Sequence, residues 1–155
     1  MTNSETIYHF YSSLEAGNIE DLLSCYHPQI SFSDPVFGEL QGDQAHSMWR
    51  MLMSKMSSDI KIDVNHVFDQ NGRMHCTWAA DYPFGKNQRH VHNEVSSQFT
   101  FKDNRIITHH DVFDLWKWTR QALGWPGYLF GWSNIMQRKM IERNQSYLTK
   151  FMKKA

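Results

Sequence analysis

The stretch SFSDPVFGELQG, residues 31–42, sets Asp34 where an alternating strand hands over to a glycine-bounded loop. Phe32, Val36 and Phe37 flank it. A carboxylate in that place has two readings. It can close a turn, since Asp before Pro is common Asx-type turn chemistry. It can also be an acid held at the mouth of an apolar cavity, placed to move protons. Histidines supply the other reactive groups, nine in all, with HVH at 90–92 and HH at 109–110.

The elements that must position these residues follow from periodicity. Ile7, Phe10, Tyr11 and Leu14 recur at helical spacing, which predicts a helix over 4–16, capped by Ser4 or Thr6 and broken by Gly17-Asn18. IEDLLSCY predicts a short second helix ending before Pro28, QISFSD a strand, and GDQAHSMWRMLMSKM a third helix. From residue 59 the period becomes two. DIKIDVNHVF, RMHCTWAADYPF, HVHNEVSSQFTF and IITHHDVFD read as a four-stranded meander, with Asn71-Gly72 a strong hairpin signal. LWKWTRQAL is helical, a GWPG break follows, and a long helix runs from about 128 to 152.

That segregated order predicts an α+β fold. A strongly curved, mostly antiparallel sheet would enclose a cone, with the N-terminal helices over its concave face. The 155 residues are read as one domain, with 115–155 as a helical C-terminal extension. Lys plus Arg balances Asp plus Glu at 16 each, which argues against a general electrostatic grip on nucleic acid or on an anionic membrane. Cys25 and Cys76 cannot build a disulfide framework. MTNSETIYHFYSSLE lacks the pattern of a secretory signal, and no apolar stretch approaches the roughly 20 residues of a membrane span. A cytoplasmic protein is expected. The 22 aromatic residues suit a large core or an apolar pocket.

FYSSLEAGNIEDLLSCYHPQISFSDPVFG resembles the opening of the nuclear-transport-factor-2-like superfamily, nearest its SnoaL-like and ketosteroid-isomerase-like branches. The marks are the EAGN helix break, a tyrosine eight residues before the strand-ending Asp, and DPV itself. FTFKDNRIITHHDVFDLW resembles the last hairpin of those branches, and the resemblance covers roughly residues 5–118. It implies that Asp34 is a general base and Asp111 the last-strand acid of cyclase-like and epoxide-hydrolase-like relatives. It also implies a homodimer. The steroid-isomerase set is incomplete: its oxyanion tyrosine falls at Phe10, beside Tyr11, and its oxyanion aspartate near Ser97. Losing one such donor costs about 2.7–4 kcal/mol of transition-state stabilisation.

The last hairpin admits two registers. A two-residue turn at Asp103-Asn104 pairs Phe101 with Ile106 and turns Thr108, His110 and Val112 inward. A three-residue loop, Asp103 to Arg105, pairs Phe101 with Ile107, turns His109, Asp111 and Phe113 inward, and sets Ser97 opposite Asp111. A slip of one residue exchanges the faces. The resemblance favours the second register. His109 would then tune Asp111, although a buried Asp two residues from a His can equally be a structural pair. Neither register brings His109 nearer than roughly 20 Å to His92 at about 3.3 Å per residue, so no metal is expected. No cofactor motif is visible.

Trp49, Trp78 and Tyr82 fall on inward faces, as do Ser97 and Phe99, and Phe113 in the second register. With Tyr26 they form the candidate pocket wall, the ordinary alternative being core packing. On the C-terminal helix Leu129, Trp132, Met136, Met140, Tyr147 and Phe151 mark an apolar face that packs on the sheet, on a second subunit or over the cavity. The expectation is a SnoaL-like small-molecule enzyme using Asp34, Asp111 and His109 on an apolar ketone-, epoxide- or polyketide-like substrate. The alternative is a non-catalytic ligand-binding or protein-interaction dimer of the same fold.

Overall fold

A computed structural model describes residues 1–56, 58–124 and 133–154. Helix α1, Asn3–Ala16, opens with a reciprocal Thr2–Glu5 capping box and ends at Gly17. There φ is +74°, a left-handed conformation that glycine adopts without a Cβ penalty. Helix α2, Ile19–Ser24, is capped by the Asn18 side chain. It stops earlier than the IEDLLSCY pattern predicts, because Tyr26 already pairs with Ile106 as the first residue of strand β1, Tyr26–Asp34. Strand β2, Gly38–Gln41, folds back antiparallel on β1. Its four residues are too few to show an alternation, and the sequence pattern missed it.

Helix α3, Asp43–Lys55, leads to the meander β3 (Lys61–Gln70), β4 (Arg73–Phe84), β5 (Arg89–Lys102) and β6 (Arg105–Val112). The sheet order is β2-β1-β6-β5-β4-β3, antiparallel except where β1 runs parallel to β6. Helix α4, Leu115–Leu123, covers the Val91 end of β5 through Trp118 and Ala122. Helix α5 is Asn134–Lys154. The predicted start near 128, with Leu129 and Trp132, lies outside the described residues. The α+β fold with a curved, mostly antiparallel sheet is as the pattern indicated. Among the described residues no helix is long and apolar enough to cross a membrane.

The last hairpin combines features of both registers. Its turn is the two-residue one: Asp103 and Asn104 have φ of 53° and 62°, the double positive φ of a type I′ turn, and Phe101 pairs with Ile106. Between that pair and the next, Thr100 with Thr108, β6 carries one extra residue, Ile107. This bulge shifts the register, so Phe99 faces His109 and Ser97 faces Asp111. His109 and Asp111 are buried, and Val112 is exposed. The expected three-residue loop is thus replaced by a tight turn plus a bulge that turns the same His109 and Asp111 inward, while Phe113 is only partly buried.

The apolar face of α5 also differs from the pattern. Leu148 is buried in the core, with Phe151 and Met152 packed against it, while Met136 and Tyr147 are exposed. Of the predicted stripe, Met140 packs on the α4 cluster and Phe151 on the main core, while Asn144 and Gln145 bond the backbone of the loop after β1.

Candidate active site

Alternation along β6 sends His109 and Asp111 to the same inner face, one residue apart in the pleat. The His109 Nε2 atom lies 2.8 Å from Asp111 Oδ1. On β5, directly opposite, Ser97 Oγ donates to the same Oδ1 at 2.5 Å. Trp78 Nε1 donates to Ser97 Oγ at 2.7 Å, and the Tyr11 hydroxyl lies 3.3 Å from it. On the other side of the ring, the Tyr26 hydroxyl is 2.7 Å from His109 Nδ1 and accepts from Trp49 Nε1 at 3.0 Å.

Counting donors orders this network. Indole N–H groups only donate, so the Tyr26 oxygen accepts from Trp49 and its own O–H is free to donate to His109 Nδ1. In a neutral imidazole Nδ1 then accepts and Nε2–H donates to Asp111. Ser97 accepts from Trp78 and donates to Asp111. Both bonds to Asp111 fall on Oδ1, so Oδ2 takes none from the described residues. The imidazole is boxed by Phe99, Phe32 and Phe10 at ring-centroid distances of 4.5, 5.2 and 5.5 Å. Burial pushes the hydroxyl pKa values of Tyr11 and Tyr26 well above the usual phenol, so both stay protonated donors.

Asp34 satisfies both readings of its sequence. Its Oδ1 accepts from the Val36 and Phe37 backbone N–H groups at 2.9 and 2.6 Å, an Asx-type turn. The residue is half-buried, yet its carboxyl is enclosed enough that burial drives its pKa up to about 7. The Phe37 and Val36 N–H groups and His109 oppose the rise, and the charge of Asp111 adds to it.

Of the other predicted wall residues, Trp49, Trp78, Ser97, Phe99 and Tyr26 all meet around this network. Tyr82 does not. It lies four residues beyond Trp78 on β4, roughly 13 Å along an extended strand, and its hydroxyl accepts from Trp118 Nε1 at 2.8 Å. There it borders a surface groove of about 320 Å³ with Asp59, Lys61 and Asp81. A larger groove of about 550 Å³, lined by Arg89, Lys117 and Arg120, is also remote from the acids. Phe113 is partly buried, beyond the end of β6, and packs against both the main core and the α4 cluster. Sequence reasoning passed over Tyr11 as a network member. Its signal was the Ile7–Tyr11–Leu14 spacing, which sets it on the inward stripe of α1.

Among the described residues no cluster of three His, Cys, Asp or Glu side chains has the arrangement of a metal site. Burial pushes both thiols up, Cys76 to about 12 and Cys25 to about 11, which disfavours the thiolate form.

No curated protein matches the sequence. Solved structures share the fold. An LEH-like epoxide hydrolase of M. tuberculosis is 13% identical with a TM-score of 0.65, over 81% of this chain and 90% of that one. TerC, crystallised with polyporic acid, is 17% identical with a TM-score of 0.63, over 72% of this chain and 91% of TerC. An NTF2-like protein of unknown function from Burkholderia pseudomallei is 14% identical with a TM-score of 0.63, over 74% and 92%. At such identities the likeness is one of fold alone. The family model of the SnoaL-like domain matches residues 7–109, from the first turns of α1 to His109 itself, and the chain belongs to that family.

Proposed function

We propose that this protein is a cytoplasmic, homodimeric acid/base enzyme that isomerises, cyclises or hydrates a small apolar ketone-, epoxide- or polyketide-like molecule. The observation that carries this reading is the buried Tyr26–His109–Asp111–Ser97 network with Asp34 within its electrostatic reach. A carboxyl with a pKa near 7 is divided between its two forms at neutral pH, so it can take a proton and return it. Asp34 is assigned that transfer. Asp111 Oδ2 is the second acid/base atom, with Oδ1 fixed by Ser97 and His109. Tyr26, held by Trp49, orients His109, and Trp49, Trp78 and Phe99 provide the apolar wall.

A second reading follows from one observation. Phe10, Tyr11, Tyr26, Phe32 and Phe99 are all 1% exposed or less, so aromatic rings fill the cone around His109. A filled cone suits a non-catalytic binding or interaction dimer. The deciding assay incubates the protein in D2O with cyclic ketones, alkyl epoxides and aromatic polyketides, following α-proton exchange and diol formation by NMR. Turnover that collapses in Asp34→Asn and Asp111→Asn while ligand binding persists supports the enzyme. Activity no higher than buffer for every class, or unchanged in both variants, sinks it. Light scattering reads the dimer independently.

A further inference from the structure

The turn that presents Asp34 is gripped from outside the family match. Pro35, Val36 and Phe37 connect β1 to β2, and each of their three carbonyls meets an amide side chain of α5. Gln145 Nε2 donates to the Phe37 carbonyl at 2.7 Å, Asn144 Nδ2 to the Val36 carbonyl at 3.1 Å, and Gln137 Nε2 to the Pro35 carbonyl at a long 3.5 Å. The N–H groups of the same Val36 and Phe37 donate to Asp34 Oδ1. Both residues are therefore held on two sides, by Asp34 through N–H and by α5 through C=O.

The helix comes close enough to do this because Gly38 has no side chain. A Cβ there would lie 3.0 Å from Ile141 Cγ2 and 3.3 Å from Gln145 Nε2, and its φ of +69° also favours glycine. One heptad-like step further on, Leu148 is 2% exposed and anchors α5 in the main core. Ile141, Gln145, Leu148 and Met152 thus form one face at helical spacing, apolar except where an amide must satisfy the loop. A stripe selected for burial alone would carry an aliphatic residue at 145. Its amide is explained by what it holds.

We infer that α5 is a positioning element of the candidate site, with Asn144 and Gln145 as the positioning residues for the Asp34 carboxyl. The inference rests on the reading of Asp34 as the proton-carrying group. Fixing the two carbonyls fixes the peptide planes whose N–H groups aim at Oδ1. Release of α5 would let the turn open and resolvate Asp34, returning it toward an ordinary carboxylate.

The test uses the full chain with Asn144→Ala/Gln145→Ala, and separately Gln145→Glu, which keeps the shape at 145 but puts an acceptor against the Phe37 carbonyl. Two NMR readouts are followed: amide exchange of Val36 and Phe37, and the pH titration of the Asp34 carboxyl carbon. In the variants we expect exchange at both amides to rise about tenfold or more, the scale of one net hydrogen bond. The Asp34 midpoint should fall by about one unit. Amides of β4 and β5 should keep their protection. Unchanged exchange and an unchanged midpoint in Gln145→Glu overturn the inference, even if the double variant fails to fold. A wild-type Asp34 midpoint in the ordinary carboxylate range instead overturns the proton-carrier role, and amide exchange alone then decides whether α5 positions the turn.

Discussion

His109 and Asp111 stand two residues apart on β6 and meet at 2.8 Å, imidazole Nε2 to carboxylate Oδ1, with 1% and 5% of their surfaces exposed. Such a pair forms within one strand because the pleat turns i and i+2 to the same face. It is held apart from water because the bulge at Ile107 sends both inward. A couple buried this deeply needs partners for its remaining polar atoms. Tyr26 supplies one at His109 Nδ1 and Ser97 one at Asp111 Oδ1, while Oδ2 takes none from the described residues.

Replacing Asp111 by Asn should separate chemistry from architecture. The amide oxygen can still accept from Ser97 and His109, so the fold should persist with a loss of about 1.5–3 kcal/mol, the range for bonds to charged groups. Turnover should fall about 10²–10⁴-fold. Steady-state rates alongside urea unfolding check this. Activity within twofold of wild type would remove Asp111 from the mechanism.

Tyr26→Phe takes away one oxygen and leaves two buried atoms, Trp49 Nε1 and His109 Nδ1, without their partner. A stability loss of about 1–3 kcal/mol is expected. Nitrogen chemical shifts of His109 should show Nε2–H as the tautomer in the wild type and a mixture in the variant. A wild-type imidazole protonated at Nδ1 at neutral pH would contradict the donor assignment.

Ser97→Ala should be costly for so small a change. It leaves Trp78 Nε1 without an acceptor and removes the Oγ donor from Asp111. Chemical denaturation should give a loss of about 1–3 kcal/mol, with a shift in the Trp78 fluorescence. A neutral result would mean that the indole and carboxylate find other partners.

Asp34 sets a pH dependence of stability. Its carboxyl pKa is raised to about 7 in the fold from 3.8, so between those values the folded chain holds a proton that the unfolded chain has released. Stability is then greatest below about pH 4, as far as this group is concerned, and falls as pH rises through 7. At most the change is about 4 kcal/mol, from about 1.36 kcal/mol per unit. Asp34→Asn should flatten that slope and be the more stable protein at pH 8. Unfolding curves from pH 4 to 8 read both, and parallel profiles for the two proteins would mean that Asp34 ionises normally.

The amino-acid order by itself determined most of the architecture. Period-two segments located β4, and β5 to within a residue at each end, because half-buried strands must alternate; α4 matched its predicted bounds. It also offered Asp34, Asp111 and His109 as ionisable candidates, while leaving open which way the last two face. Short elements were less legible: β2 has four residues, too few for a period to emerge, and Tyr26 was read as helix before its pairing with Ile106 made it strand. Only the tertiary structure decided the rest. The direction in which His109 and Asp111 face depends on one unpaired residue, Ile107, and a bulge leaves no pattern that distinguishes it from a longer loop. Asp34 both caps its turn through Oδ1 and is enclosed enough for burial to raise its pKa, and that enclosure comes from packing between distant elements, not from local spacing. The grip of α5 on that turn joins residues 108 positions apart, and no local spacing encodes a contact across such a distance.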